Sequence, residues 1–331
     1  MFPSISRNAT RRSLFPLALA TAALVLGLQT LSARELDSFT IRMDNDFPAG
    51  TDEHYTAGTE FDFAYRPWYD EDEKAVYHQT LALGQWIFTP ENVDAIEVIE
   101  NDRPFAGWTY LRYGQHRTDQ RSVKSWQLTL GLVGPSSFAE DIMRSIHKLT
   151  DNRMPLGWRN QLSDELGVAL ERSEIRRLHV WNFADERGLE LASFNRFALG
   201  NVDTSLTQGF QLRYGRNLNS LPSVNRIGSP AGYIPSKSDY ARYPKELRPR
   251  RLHWIAGARS TYVARNLFLD GNSNGRSHSV DREPFVHEGE LGFAYSQPGF
   301  KASVSMVYRT KEFELQEGGQ TFASFAVTIK R

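Results

Sequence analysis

The feature that most constrains this chain is an alternation of apolar and polar residues with a period of two, repeated along nearly its whole length. Phe39, Ile41 and Met43 alternate with Ser38, Thr40 and Arg42, and Phe61, Phe63 and Tyr65 with Glu60, Asp62 and Ala64. The same beat sets Trp126, Leu128, Leu130 and Leu132 against Ser125, Gln127, Thr129 and Gly131. It returns in Phe210-Leu212-Tyr214, in Leu291-Phe293-Tyr295 and in Phe300 to Tyr308, and closes on Phe325, Val327 and Ile329. Successive strand residues point to opposite faces, so each run reads as a strand with one apolar and one polar face. A soluble sandwich and a lipid-facing barrel share that pattern.

The N-terminus helps to separate them. Arg7, Arg11 and Arg12 precede an apolar run from Leu14 to Leu28, interrupted by Pro16, Thr21 and Gly27, and small residues follow at Thr30 to Ala33. That order is a secretory signal, expected to be cleaved after Ala33; a spanning helix needs about 20 apolar residues, and this run is shorter. Residues 1–33 are therefore set aside as signal peptide, and 34–331 as one barrel domain. Nothing after residue 34 is long and apolar enough for a membrane-spanning helix, and the mean hydropathy is −0.48. A barrel tolerates such polarity, because only every second strand residue meets lipid. The absence of cysteine excludes thiolate metal sites and a Cys nucleophile. With 39 basic against 39 acidic residues, nothing points to nucleic acid.

These observations together predict an all-β protein, an antiparallel transmembrane barrel of about twelve strands in the outer membrane. The strands are expected near 36–45, 55–66, 77–88, 105–115, 123–133, 163–183, 188–199, 205–216, 251–265, 284–296, 299–312 and 320–330. The sixth is long enough to be two, and the Pro-, Ser- and Arg-rich stretch from Asn217 to Arg250 breaks the pattern on the periplasmic side, where turns are usually short. An even strand count puts both termini in the periplasm. The segments 45–55, 88–104 and 134–162 then share the outer rim, although they are far apart in sequence.

Those three segments hold the unusual residues. Asp44-Asn45-Asp46, followed by Asp52, Tyr55, Thr56 and Gly58, offers hard oxygen ligands of the kind Ca²⁺ takes, and equally a solvated turn. Asn101 to Trp108 places Arg103 at a strand start, where it could bind phosphate or simply pair with a neighbour. In the third segment Ser137 and Glu140 have the spacing of a capping box, and Phe138, Ile142 and Ile146 recur at helical spacing. A short amphipathic helix at about 137–149 is predicted, with His147 on its last turn, where a His also serves the helix dipole. Pro155, Gly157, Trp158 and Gln161 follow. Gly271 to Gly275 with His278 and Ser279 imitates a serine-hydrolase constellation but lacks the G-x-S-x-G elbow. His54, His78, His179, His253 and His287 have no partner that spacing can supply.

In this order, Asn45-Asp46, Asp52 to Gly58 (DEHYTAG), Asp102 to Trp108 (DRPFAGW), Gly134 to Ser137 leading to His147, Pro155 to Gln161 (PLGWRNQ) and Gly200-Asn201-Val202 resemble the lipid A 3′-O-deacylase family of outer-membrane barrels. The likeness covers most of residues 34–331 and is densest from 39 to 205. It implies a twelve-stranded barrel with a Ca²⁺-dependent esterase site at the outer rim, acting on lipid A or lipopolysaccharide of the outer leaflet. It maps the general base onto His147 and the catalytic Asn-Asp pair onto Asn45 and Asp46, with Asp46 also a metal ligand. Thr56 joins the site, and Arg103 is the basic residue left to bind substrate. Ala95 and Ile96 stand where the family carries an adjacent Lys-Arg pair. A non-catalytic barrel of the same fold and an outer-membrane phospholipase are the other functions this pattern accommodates.

Overall fold

The computed structural model describes residues 34–46, 54–72, 74–151, 153–183, 187–216 and 250–330, together with Gly27, Gln29, Leu31, Leu218, Arg226 and Ile227. The expected signal peptide thus lies outside the described residues, apart from those three positions. The rest is a single antiparallel sheet closed on itself. Its strands are β1 (Leu36–Asn45), β2 (His54–Tyr65), β3 (Ala75–Thr89), β4 (Ala106–Thr118), β5 (Ser122–Val133) and β6 (Glu165–Asn182). The second half comprises β7 (Arg187–Gly200), β8 (Asp203–Arg216), β9 (Arg251–Asn266), β10 (Phe285–Gln297), β11 (Phe300–Arg309) and β12 (Gln320–Lys330). Each pairs with its sequence neighbours, and β1 closes the ring on β12, with Phe39 opposite Ile329 and Met43 opposite Phe325. Closure leaves no unpaired edge, the condition for carrying a sheet through hydrocarbon. Among the described residues no helix is long and apolar enough to cross a membrane.

Burial is inverted relative to a soluble protein, and this decides between barrel and sandwich. Large apolar residues face outward: Leu291 is 69% exposed, Trp254 63% and Phe210 59%. The polar partners of the alternation are inside. Glu60, 1% exposed, accepts hydrogen bonds from Arg42 (2.9 Å), Arg112 (2.7 Å) and the Tyr110 hydroxyl (2.8 Å). Glu171 and Asp203 clasp Arg196, and Glu190 takes Arg177 and Arg213. Paired charges of this kind can be withdrawn from bulk water, whereas single ones could not.

The strand expectations hold within a few residues, with two differences. The sixth strand is one element of 18 residues, bulged between Arg177 and His179. A three-residue strand that alternation cannot reveal, Trp68–Asp70, pairs with Ala75–Tyr77. Most of the stretch from Asn217 to Arg250 lies outside the described residues. Within it Arg226 is buried and forks onto Glu288 at 2.9 and 3.2 Å.

The outer end of the lumen is filled. Tyr55, Phe88, Trp108, Tyr110 and Phe322 form an aromatic cluster, and the fifth outer loop lowers a short helix, α2 (Leu267–Asp270), onto it. Phe268 stacks on Phe88 at 4.3 Å, and the Asn266 side chain caps the helix by accepting from Phe268 N. The closed ladder sets a first expectation: the unheated protein should migrate differently from the boiled protein in detergent electrophoresis. Coincident bands would contradict a closed barrel.

Candidate active site

The candidate site is built on the outside of the wall, at its outer end. Strand register aligns Asn45 with Ala57, Ala57 with Ile87, and Ile87 with Gly107, one row across four adjacent strands. Neighbouring strands lie about 4.8 Å apart, so residues 62 positions apart in sequence share one small patch. A bulge between Tyr55 and Ala57 inserts Thr56 into this row. The Thr56 hydroxyl pairs with that of Thr89 at 2.7 Å, and the Thr56 carbonyl accepts from Asn45 Nδ2 and from Asp46 N, both at 3.4 Å. Asn45, Asp46 and Thr56 are thus together, as the sequence implied. Thr89 is a member that no spacing rule singles out.

Against the Ile87 and Gly107 end of this row packs the predicted helix, α1 (Ala139–Thr150). It starts two residues later than expected, and the capping box does not form. A 3₁₀ turn, Pro135–Ser137, precedes it, and Phe138 takes the N-cap position in a left-handed conformation at φ 57°. Ser137 Oγ accepts only from Ala139 N, and Glu140 pairs with Arg144 on the next turn. The helix can sit this close because residue 107 is glycine. A Cβ there would fall 2.1 Å from Ala139 Cβ.

The apolar stripe behaves differently from a core-facing stripe. The helix buries Ala139, Met143 and His147, the first two against Ile87, Phe105 and Trp158. Phe138 (63% exposed), Ile142, Ile146 and Leu149 (88%) face away from the protein. An apolar stripe on the outside of an apolar wall is a surface made for lipid chains.

The geometry of His147 decides its tautomer. Its Nδ1 lies 2.5 Å from the carbonyl oxygen of Arg153. A carbonyl can only accept, so Nδ1 carries the hydrogen and Nε2 of the neutral ring keeps its lone pair. Arg153 is itself tied to Asp94 of the second outer loop. Arg159 and Asn160 bond the Ile96 carbonyl, and Leu156 N bonds Val93 O, so the second and third outer loops form one unit.

The structure removes Arg103 from the accessible face. Its guanidinium is buried, donates to Glu312 at 3.1 Å and stands 4.5 Å above the Phe88 ring. It is part of the lumen plug, and a headgroup at the rim cannot reach it. Burial pushes its pKa down, opposed by Glu312 and Asp102. Burial also works to raise the Glu312 carboxyl, but Arg309, Arg103 and His54 hold it below the usual range. The serine-hydrolase imitation is dissolved too. Ser273 and Asn272 donate to Glu165, and His278 bonds the Asp102 carbonyl, so serine and histidine serve different partners.

No three His, Asp or Glu side chains among the described residues are grouped to hold a metal ion. What this patch offers a cation is oxygen only: the buried Asp46 carboxylate with the Asn45 and Thr56 oxygens. That set fits a hard ion such as Ca²⁺ in kind. Asp52, also considered from the sequence, lies outside the described residues.

Comparison with known proteins agrees with the barrel. The family model described as "Outer membrane protein LpxR" matches residues 14–331. Among solved structures, LpxR from Salmonella typhimurium superposes with a TM-score of 0.73 at 17% identity, covering 88% of this chain and 99% of that one. The β domain of the Bordetella autotransporter BrkA gives a TM-score of 0.43 at 11% identity, covering 89% and 98%. Among curated proteins no sequence relative is found.

Proposed function

Because the chain belongs to the LpxR family of outer-membrane proteins, we propose that this barrel hydrolyses an ester of lipid A, releasing the 3′-linked acyloxyacyl chain in the outer leaflet. The observation that carries the reading is the hydrogen bond between His147 and the Arg153 carbonyl. It assigns the Nδ1 hydrogen to that carbonyl and leaves Nε2 as the nitrogen available to act as base, on a helix whose apolar stripe is exposed.

In this reading His147 Nε2 removes a proton from water as its oxygen attacks the ester carbonyl. Arg153 holds the ring in the tautomer that can do so and stabilises the imidazolium that forms. Negative charge then develops on the carbonyl oxygen, and preorganised donors at this point usually supply the largest catalytic contribution. Asn45 Nδ2 and the Thr56 hydroxyl are the neutral donors of the patch. Asp46, with the oxygens of Asn45 and Thr56, would hold a Ca²⁺ ion, whose chemistry here is to neutralise that charge. The tetrahedral intermediate then collapses with cleavage of the bond to the 3′ oxygen of lipid A, and the imidazolium returns its proton to that departing oxygen. The acyl chains would lie along Phe138, Ile142 and Ile146.

The test is mass spectrometry of lipid A from cells with and without the protein, repeated on purified lipid A with excess EGTA. Loss of one ester-linked acyl group only where the protein is present is the expected result, and the chelator should abolish it. Undiminished hydrolysis in EGTA would remove the metal from the mechanism. Unchanged lipid A in every arm would favour a non-catalytic barrel, the reading to which Ala95 and Ile96 lend weight by leaving no basic pair in the second outer loop.

A further inference from the structure

The outer wall across the ring from the candidate site is not uniformly apolar. Register aligns Lys124 with Glu174, Glu174 with Asn195, Asn195 with Gln208, Gln208 with Ser260 and Ser260 with His287, one row across β5 to β10. Alternation turns all six side chains outward. The next outward row toward the rim is Trp126, Arg172, Phe197, Leu206, Tyr262 and Phe285. The next row toward the periplasm holds Phe210, Ala258, Gly289 and Tyr308. A polar seam thus crosses an apolar wall.

Barrel strands are tilted, so a row in register climbs through the membrane. The seam begins at Lys124, beside the periplasmic start of β5, and ends at His287, beside the outer start of β10. Asn195 and Gln208 lie between these ends. On β7 the outward residues Leu189 and Leu191 stand on the periplasmic side of Asn195, and Phe197 and Leu199 on its outer side. On β8 Gln208 stands between Leu206 and Phe210, both outward. The two amides are therefore exposed inside the apolar band, not at its edge. Hydrocarbon offers an amide no hydrogen-bond partner, and leaving it without one is costly.

We propose that this wall joins two copies of the chain about a two-fold axis along the membrane normal, with Asn195 and Gln208 at its centre. An amide carries both donors and an acceptor, so the pair is its own complement: Asn195 of each copy bonds Gln208 of the other. Two seams of the same slant cross when they face each other, and they meet at their middle, where these amides lie. The small outward residues beside them, Ala258 and Gly289, let the two walls approach, and nothing stands over Gly289. A groove of about 510 Å³, lined in part by Leu212, Trp254, Leu291 and Met306, receives Phe210 of the second copy. In the ring β8 lies six strands from β2, so α1 of both copies stays open to lipid.

The chain has no cysteine, so a single introduced thiol reports the contact. Ser193→Cys places one on the outer face of β7 and leaves both amides intact. In outer membranes treated with a short bismaleimide, this variant should give a covalent dimer that survives boiling. Leu83→Cys, exposed on β3 of the opposite wall, should stay monomeric. Adding Asn195→Leu and Gln208→Leu to Ser193→Cys should lower the dimer yield by about 10-fold, because a two-fold contact loses each intramembrane hydrogen bond twice. The difference in migration between unheated and boiled samples shows that each variant is folded, and the comparison of Ser193→Cys with Leu83→Cys carries the test if the triple variant is not. No dimer from Ser193→Cys, equal yields from Ser193→Cys and Leu83→Cys, a link only to a different protein, or a yield unchanged by the two leucines would overturn the assignment.

Discussion

His147→Ala should lower ester release from lipid A by about 10²–10⁴-fold, the usual scale for loss of a general base. The barrel should insert and resist heating as before, because α1 lies outside the strand ladder and His147 contributes to it only one hydrogen bond, to Arg153. A histidine that merely served the helix dipole would be worth about 0.3–1 kcal/mol of stability and nothing in rate. The two roles therefore move different readouts. Equal amounts of inserted protein, assayed on purified lipid A, separate them: a variant rate within a few-fold of the parent would take His147 out of the mechanism.

Gly107→Ala is the second change with a large expected effect, and it leaves every chemical group of the site in place. The added Cβ would lie 2.1 Å from Ala139 Cβ and 2.4 Å from Ser137 Oγ, so α1 must lift from the wall. Overpacking of this kind costs about 1–3 kcal/mol. The kinetic consequence is larger. A base displaced by about 1 Å from the reacting atoms can cost about 10²-fold. Leu111→Ala, on the same outward face of β4 but clear of the helix, should leave the rate near that of the parent. In a His147→Ala background, Gly107→Ala should add little, since both changes act through the same imidazole. A Gly107→Ala rate equal to that of the parent would mean that the seat of α1 does not position His147.

Residue by residue, legibility followed the range of the interaction. The alternation around Phe39–Met43 or Trp126–Leu132 is a local property, and the strands appear within a few residues of where it places them. The helix at α1 was legible for the same reason, through Phe138, Ile142 and Ile146. Its orientation was not. An apolar stripe normally marks the side that packs, yet here Met143 and His147 pack, while the stripe faces out, because the solvent outside this wall is lipid. Arg103 misled for a related reason. A strand-start arginine reads as an anion ligand until Glu312, 209 positions away, is found beneath it. His54 gave no signal at all, since Asp102 reaches it only through the second outer loop.

The sequence by itself determined the closed antiparallel barrel of twelve strands and the meeting of the segments 88–104 and 134–162 at one end of it. Alternation and strand parity are properties of the covalent chain, and they survive any detail of packing. Only the tertiary structure decided which nitrogen of His147 holds the hydrogen. It also decided that a missing side chain at Gly107 sets how closely the helix approaches, and that Arg103 belongs to the plug. Each of these depends on a backbone carbonyl, an absent atom or a partner hundreds of residues away, none of which leaves a periodic mark on the sequence.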